Sequence, residues 1–310
     1  MSKRKTCLMT VVATAFVLTG CSKVEAEEHT SVAVEPDPVL GMVGTITPEQ
    51  VRRGADLITQ GKVYQLGIVT GPQTPAWGNR KFEMQVFDLG EFGSNKLTGH
   101  DDRVITHIGI GSQIDGFGHI GLDSVYYGGF TGDQVFAADG LKMHGAHNIP
   151  PIATRGVVID MAMHFESAVL EPLTSYGADD IRAAAAAQNV EIRPGDVVLL
   201  HTGWLSRIDE AETFGTRQPG INLDGARYLA NLGVVAVGSD TPGLESDAPT
   251  ADGAAFPVHG YLLAEKGIHI LENMNTAELV ADNANEFFFV LGTPRLEGSV
   301  QAIINPLAIR

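Results

Sequence analysis

Short β-rich segments, separated by turns that carry glycine, run through most of this chain and limit the folds that it can adopt. Strand-like patterns lie at residues 63–69, 84–89, 104–114, 156–161, 197–201, 234–238, 286–291 and 301–304. Helices are predicted at about residues 47–61, 178–190, 222–232 and 257–267, where a capping residue or a closing glycine marks an end. Because strands and helices mix without strict βαβ alternation, the sequence predicts one mixed α/β (α+β) domain rather than a doubly wound sheet.

The composition is that of a globular protein with little affinity for nucleic acids. Of the 310 residues, 44% are hydrophobic and 19% are charged, which is enough to bury the core of one large domain or two small ones. The formal net charge is −16, and no run of Lys and Arg interleaved with aromatic residues follows the first few positions. A chain this acidic repels phosphate backbones, so we expect no nucleic-acid partner.

Residues 1–20 have the pattern of an export signal. Three basic residues at positions 3–5 precede an apolar run over residues 7–17 that is too short to span a bilayer. The segment ends in Leu-Thr-Gly-Cys21, which resembles the lipobox of bacterial lipoproteins and implies cleavage before Cys21 and lipid attachment to it. An ordinary secretory signal with a cysteine at its cleavage site is the alternative.

The expected mature protein is a periplasmic domain that is anchored to the membrane only by the lipid on Cys21. Cys7 leaves with the signal, so Cys21 is the one cysteine that remains and no internal disulfide can form. Residues 21–44 are acidic and interrupted by prolines, which is typical of a tether. The folded domain is therefore predicted to span residues 45–310.

The segment from Thr106 to His119 is the richest in chemistry-bearing residues. A strand over residues 104–115 would place His107, Gln113 and Asp115 on one face and isoleucines on the other. Glycines let other groups approach the backbone here, and they lie at positions 109, 111, 116 and 118. His119 follows Asp115 by four residues and would bring its imidazole close to these side chains. The pattern predicts a concave polar site on this face of the strand. A polar edge strand followed by a solvent-facing turn is the alternative.

Motifs for other chemistries are weak. Residues 116–121 match G-x-G-x-x-G, but the residues that follow are poor helix formers, which argues against a dinucleotide site. Neither a G-x-S-x-G elbow nor a Walker loop occurs in the sequence.

The order G-S-Q-I-D-G-F-G-H, ending at His119, resembles the H-x-G-T-H-x-D-x-P-x-H motif of the cyclase superfamily of metal-dependent hydrolases. This superfamily includes bacterial kynurenine formamidases and isatin hydrolases. Further segments occur in the order that the family shows, at residues 155–160, 195–204, 219–221, 237–241, 258–263, 267–273 and 298–303. The resemblance covers roughly residues 60–308. It implies a swivelling β/β/α fold, with a central mixed sheet or barrel-like core flanked by helices, and assembly as a homodimer or homotetramer.

The resemblance also assigns site residues. Asp115 matches the metal-binding aspartate of the motif, and His119 matches its acid/base histidine. His259 and Glu272 match a downstream histidine and a carboxylate that complete the metal site. The chain departs from the motif at its first two histidines, because Gly109 and Gln113 stand in their places.

Two residues could replace the missing ligands. His107 would lie on the same strand face as Gly109, and Gln113 keeps an amide oxygen. Such an oxygen-rich set favours Mn²⁺ or Mg²⁺ over tetrahedral Zn²⁺. We expect a divalent ion, Mn²⁺ or Zn²⁺ with Mg²⁺ as a further candidate, and one or two ions per chain.

Five further residues are candidates for contact with a small-molecule substrate. His201 and Asp240 each come at or just after the end of a predicted strand. Phe117, Tyr127 and Trp204 could form aromatic pocket walls. For His201 and the three aromatic residues a place in the core is the alternative, and for Asp240 a turn.

These features predict an exported hydrolase that uses metal-activated water to cleave an amide, lactam or ester bond in a small, aromatic carbonyl compound. Arylformamidase-like activity is the named activity that the resemblance implies. Two alternatives remain open. One is a small-molecule-binding lipoprotein that has lost catalysis, and the other is a metal-dependent lyase or dehydratase on the same scaffold.

Overall fold

A nine-stranded sheet organises the protein, for which the computed structural model describes residues 36–310. The strands are β1 (Val63–Gln65), β2 (Phe82–Phe92), β3 (Leu97–Thr106), β4 (Gln113–Asp115), β5 (Val125–Tyr126), β6 (Phe130–Thr131), β7 (Ile152–Asp160), β8 (Ser175–Tyr176), β9 (Val197–His201), β10 (Gly220–Ile221), β11 (Ala236–Ser239), β12 (His269–Glu272), β13 (Glu286–Leu291), β14 (Gln301–Ile303) and β15 (Leu307–Ile309).

Helices connect the strands and cover the sheet. They are α1 (Pro48–Ala55), α2 (Gly132–Val135), α3 (Met161–His164), α4 (Ala178–Ala187), α5 (Ala211–Phe214), α6 (Leu223–Asn231), α7 (Pro257–His259) and α8 (Ala277–Ala281). Short 3₁₀ segments lie at Met42–Thr45, Tyr127–Gly129, Ala146–Asn148 and Trp204–Arg207, and α7 continues into a π-helical segment at Gly260–Lys266. Within residues 36–310, no helix is both long enough and apolar enough to cross a membrane.

The sheet is mixed, as the sequence predicts, and curls into a half-barrel. Its strand order is β1-β15-β13-β7-β9-β11-β12-β4-β14. The central strands β7, β9, β11 and β12 are parallel, whereas the strands on either side pair antiparallel. Antiparallel β4 lies between β12 and β14 near one edge, and this is the part of the sheet that carries the candidate site.

The central strands are buried on both faces, which is why they read as continuous apolar runs in the sequence. Val157 and Ile159 of β7 pack with α4 and α6 in one hydrophobic cluster. Val158 points the other way and packs in a second cluster with Leu279 of α8 and Phe287 of β13. The sheet thus lies between the two clusters.

Several predicted elements are confirmed with shorter bounds. The capping box at Thr47 forms, with the Gln50 backbone N–H donating to Thr47 Oγ1 at 3.2 Å, but α1 ends at Ala55 instead of residue 61. Strands β9 and β13 begin and end at the predicted residues. The prediction missed β12 and β15 as strands.

The prediction of one strand over residues 104–114 is wrong. Strand β3 ends at Thr106, and β4 begins only at Gln113. Gly111 between them has a φ of +68°, a left-handed conformation that an extended strand does not contain. Strand β3 instead pairs with β2 in a hairpin outside the main sheet. Large apolar side chains are exposed along that hairpin, at Met84, Val86, Phe87, Leu89, Phe92, Leu97, Val104 and Ile105.

The first described residues already pack on this body. Val43 is buried in the second hydrophobic cluster, and the Met42 backbone N–H donates to the Gly267 carbonyl at 2.7 Å. The predicted signal over residues 1–20, Cys21 and most of the predicted tether lie outside the described residues.

Candidate metal centre

The register of three antiparallel strands brings four polar side chains to one face of the sheet. On one side of β4, Gln113 lies opposite Glu272 of β12, and on the other side Asp115 lies opposite Gln301 of β14. Ile114, between the two polar residues of β4, faces the core instead. Because side chains alternate along a strand, the Gln-Ile-Asp sequence gives one polar face and one apolar face.

Hydrogen bonds across the strands hold the two carboxylates. Gln113 Nε2 donates to Glu272 Oε2 at 2.5 Å, and Gln301 Nε2 donates to Asp115 Oδ1 at 2.7 Å. All four side chains are buried. Each carboxylate therefore has one oxygen fixed by an amide and a second oxygen directed elsewhere.

His259 faces the carboxylates from α7 and is fixed by Glu245. The His259 Nδ1–H donates to Glu245 Oε1 at 2.6 Å, while the backbone N–H groups of Val258 and His259 donate to the same carboxylate at 3.1 and 3.0 Å. Glu245 thus caps the start of α7 and sets the orientation of the imidazole. His259 Nε2 then lies 3.2 Å from Glu272 Oε1 and 3.6 Å from Asp115 Oδ2.

Asp115, His259 and Glu272 fit a divalent cation. Their nearest ligand atoms all lie within 4.8 Å of one another. Asp115 Oδ2 is buried without a hydrogen-bond partner, which is costly for a carboxylate oxygen unless a cation faces it. Two carboxylates and an imidazole are the donor types that bind Mn²⁺ and Zn²⁺, and a carboxylate behind a ligating histidine is common at metal sites.

The pKa values of these groups reflect crowded negative charge. Burial and the charge of Asp115 raise the pKa of Glu272. Burial alone would lower the pKa of His259, but its hydrogen bonds to Glu245 and Glu272 and the charge of Asp115 raise that pKa to about 10. Without an ion, the proton on His259 thus supplies positive charge that a bound cation would otherwise supply.

His119 stands next to this group without joining it. Its ring centroid lies 6.3 Å from that of His259. Burial lowers the pKa of His119, and the positive charges of His259 and Arg80 lower it further, against the opposing effect of Asp115. The imidazole is therefore neutral at pH 7 and able to accept a proton.

A cavity of about 190 Å³ lies over the group. Its polar floor includes Gln113, His119, His259 and Glu272, and its walls are formed by Trp77, Arg80, Ile120, Gly243 and Phe256. Trp77 and Phe256 meet edge to face with 6.1 Å between ring centroids, and Trp77 Nε1–H donates to the Pro242 carbonyl at 3.2 Å. The cavity is thus lined by aromatic rings beside the candidate ligands.

Arg80 and Gln301 fill the space beside Gly109. Arg80 Nη1 donates to the Gly109 carbonyl at 2.6 Å. A Cβ atom added at Gly109 would lie 2.3 Å from Gln301 Oε1 and 2.7 Å from Arg80 Nη1. A histidine at position 109 would therefore require the side chains of Gln301 and Arg80 to move.

The structure does not bring His107 to the group. The residue is exposed at the end of the β2–β3 hairpin, where the Lys81 backbone N–H donates to its Nδ1 at 2.9 Å. His107 was predicted to face the site on one continuous strand, but β3 ends at Thr106.

The three predicted aromatic wall residues lie in the core. Phe117 stacks on the His269 ring with 4.2 Å between centroids and packs against Tyr127 at 4.8 Å. Trp204 is fully buried, and its Nε1–H donates to the Phe214 carbonyl at 3.1 Å. Neither Phe117, Tyr127 nor Trp204 lines the cavity.

His201 and Asp240 form a separate buried pair at the ends of β9 and β11. His201 Nδ1 lies 3.4 Å from Asp240 Oδ2 and 2.8 Å from Thr276 Oγ1. Asp240 Oδ1 accepts hydrogen bonds from the Thr202 backbone N–H at 2.9 Å and from its hydroxyl at 2.6 Å. These contacts hold two strand ends together, and neither residue of the pair is among those that line the cavity.

Residues that the sequence did not single out support the site. His269 Nδ1–H donates to the Asp115 carbonyl at 2.8 Å, and burial lowers the pKa of His269 to about 4, so the ring is neutral. Glu245, Gln301, Trp77 and Phe256 were also missed. Gln301 sits at the start of a predicted strand, but the other three lie in segments with no periodic pattern.

Comparisons with known proteins agree with this fold. The sequence model of the Cyclase family matches residues 64–246. The structure is similar to the crystal structure of a novel cyclase, with a TM-score of 0.79 and 24% identity over 87% of this chain and 94% of that one. No curated protein matches the sequence.

Two solved hydrolases share the fold at lower identity. Isatin hydrolase A from Ralstonia solanacearum has a TM-score of 0.63 and 17% identity over 86% of this chain and 98% of that one. A predicted metal-dependent hydrolase from Bacillus stearothermophilus has a TM-score of 0.53 and 19% identity over 80% of this chain and 97% of that one. With a family match over more than half of its length, the chain belongs to the Cyclase family.

Proposed function

We propose that the protein is a metal-dependent hydrolase that cleaves an amide bond, in a formamide or lactam, or an ester bond of a small aromatic carbonyl compound. The observation that carries this proposal is the buried group of Asp115, His259 and Glu272 beside a neutral His119 at the floor of an aromatic cavity. Isatin hydrolases with the same fold support hydrolysis as the reaction class.

The proposed ligands are Asp115, His259 through Nε2, and Glu272. A divalent ion held there would lower the pKa of a water molecule and polarise a carbonyl group. The donor set is richer in oxygen than in nitrogen, which favours Mn²⁺ or Mg²⁺, while Zn²⁺ is also compatible with it.

The other residues have separate tasks. Glu245 keeps the proton of His259 on Nδ1 and leaves Nε2 free, and Gln113 holds one oxygen of Glu272. His119 accepts a proton from the attacking water and gives it to the leaving nitrogen or oxygen. Trp77 and Phe256 pack on a planar substrate and exclude water from the floor of the cavity.

One alternative function has a specific observation in its favour. The loss of both motif histidines, at Gly109 and Gln113, would suit a binding protein that keeps the pocket without turnover. Export, lipid attachment at Cys21, a periplasmic location and assembly as a homodimer or homotetramer are likewise proposals. They rest on the sequence of residues 1–21 and on the family resemblance.

The test is a hydrolysis assay on protein stripped with chelator and reloaded with Mn²⁺, Zn²⁺ or Mg²⁺. The substrates are matched aryl formamides, lactams and esters. We expect turnover that requires the added metal, and a decrease of about 10²- to 10⁴-fold in kcat for His119→Gln. Exposed His100, changed to Gln, is the matched control and should leave kcat unchanged. Metal binding without turnover of any member of the panel would instead favour the binding protein.

A further inference from the structure

We propose that Arg80 takes the place of the first motif histidine and stabilises the oxyanion that forms when water attacks the substrate carbonyl. This inference rests on the proposed hydrolase function. It assigns a catalytic role to a residue that lies outside the motif and that the sequence did not single out.

The first support for this role of Arg80 is its position beside Gly109. The motif's first histidine position is Gly109, and the space that its side chain would need contains Arg80 Nη1 and Gln301 Oε1. Gln301 is anchored by the hydrogen bond from its Nε2 to Asp115 Oδ1. Arg80 cannot act as the missing ligand, since a guanidinium has no lone pair for a metal. A guanidinium thus lies where the motif has an imidazole.

Access to the cavity is the second support. Arg80 lines the same cavity as His119 and Glu272 and is only partly buried. Among the described residues, its hydrogen bond runs from Nη1 to the Gly109 carbonyl at 2.6 Å. This contact uses one N–H of Nη1, and the guanidinium has further N–H groups that can donate to a bound molecule.

The position of a positive charge on the cavity is the third support. Asp115 and Glu272 would neutralise one divalent ion, and buried Glu245, whose Oε1 accepts the His259 Nδ1–H, adds a third negative charge. Arg80 lines the cavity, whereas Glu245 does not, so the charge of the guanidinium faces a bound molecule. A positive charge there is suited to a reaction that develops negative charge on the substrate.

The proposed step conserves atoms and charge. The water oxygen forms a bond to the carbonyl carbon, the carbonyl electron pair moves onto oxygen, and the water proton goes to His119. Arg80 donates hydrogen bonds to that oxyanion. When the pair returns and the bond to the leaving nitrogen or oxygen breaks, His119 delivers its proton to the leaving group.

The test compares wild type with Arg80→Gln and Arg80→Lys, and uses Arg103→Gln on the exposed hairpin as the matched control. Elemental analysis gives the number of Mn²⁺ ions per chain. Calorimetry measures the binding of benzoate, an aromatic carboxylate that imitates the oxyanion, to Mn²⁺-loaded protein. Steady-state kinetics on a hydrolysed amide or ester separate kcat from KM.

We expect the same number of ions per chain in all four proteins, because Arg80 is not a ligand. Arg80→Gln should bind benzoate at least about tenfold more weakly and lose about 10²- to 10³-fold in kcat, with a much smaller change in KM. Arg80→Lys should recover part of both losses, and Arg103→Gln should behave as wild type. Unchanged melting temperatures would exclude a merely structural role.

Unchanged benzoate binding and kcat in Arg80→Gln would overturn the inference. This result would leave the proposed hydrolase function standing if wild type still turns over substrate. If wild type binds one ion but hydrolyses nothing, the hydrolase proposal fails. The benzoate comparison then still decides whether Arg80 holds an anion at the centre.

Discussion

Gln113 lies directly opposite Glu272 on neighbouring antiparallel strands, and its amide donates a hydrogen bond to one oxygen of that carboxylate. The family motif has a histidine at the position of Gln113. Here the residue fixes a ligand, which leaves the other oxygen of Glu272 directed at His259.

Gln113→Ala should therefore weaken metal binding without removing a proposed ligand. We expect the Mn²⁺ dissociation constant to rise about 10- to 100-fold, because Glu272 loses the hydrogen bond that orients it. Titration calorimetry measures this constant, with the exposed Gln73→Ala as the matched control. An unchanged dissociation constant would show that Glu272 is held by other contacts.

Glu245→Gln tests the support behind His259. Glu245 Oε1 accepts both the backbone N–H and the Nδ1–H of His259, and Oε2 accepts the Val258 N–H, so an amide must lose either the two bonds from His259 or the one from Val258. In both cases the negative charge behind the imidazole is lost. We expect metal affinity and kcat to fall about 10- to 100-fold with little loss of folding stability. The exposed Glu265→Gln should change neither quantity, and equal effects of the two variants would contradict this role.

The pH dependence of kcat should report His119. Its pKa is lowered from 6.5 mainly by burial, so the neutral base is present at pH 7 and is lost only as the pH falls through this lowered value. Activity should thus be level near neutrality and decline on the acid side, below pH 6.5. In His119→Gln the remaining activity should lack this decline. If the decline persists unchanged in the variant, another group is the base.

Trp77→Ala should mainly affect substrate binding. Loss of one aromatic wall of the cavity should raise KM about tenfold for an aromatic substrate, which corresponds to about 1.4 kcal/mol. Phe136→Ala, an exposed aromatic residue away from the cavity, is the matched control. Trp204→Ala should differ from both, because this fully buried ring belongs to the core and its loss should cost about 3–5 kcal/mol of unfolding free energy.

Much of the sheet could be predicted because its strands are short, apolar and buried on both faces. The bounds of β9 follow from such a run, and those of β13 follow from an apolar run that is buried on alternate residues. The motif also placed Asp115, His259 and Glu272 in one group, which the structure brings within ligand distance of one another. Apolar runs and the order of the motifs were thus enough to predict these strands and these three residues.

The cavity residues that could not be predicted lie on loops, and the path of a loop cannot be read from a local sequence pattern. Arg80 and Trp77 come from an irregular segment before the hairpin, and Phe256 comes from another irregular segment before α7. No periodicity marks such residues, since tertiary packing alone decides which of them reach the cavity. The prediction that His107 shares a strand face with Asp115 was wrong for a related reason. Gly111 is left-handed, so the alternation of side chains between the two faces of a strand does not continue from His107 to Asp115.

The most direct test of the metal centre is elemental analysis of protein purified without chelator or affinity-tag metal. We compare wild type with Asp115→Asn, and use Asp179→Asn, whose side chain is almost fully exposed, as the matched control. We expect close to one Mn²⁺ or Zn²⁺ per chain in wild type and in the control, and loss of the ion in Asp115→Asn. Absence of bound metal in wild type, with no rise in melting temperature when divalent ions are added, would contradict it.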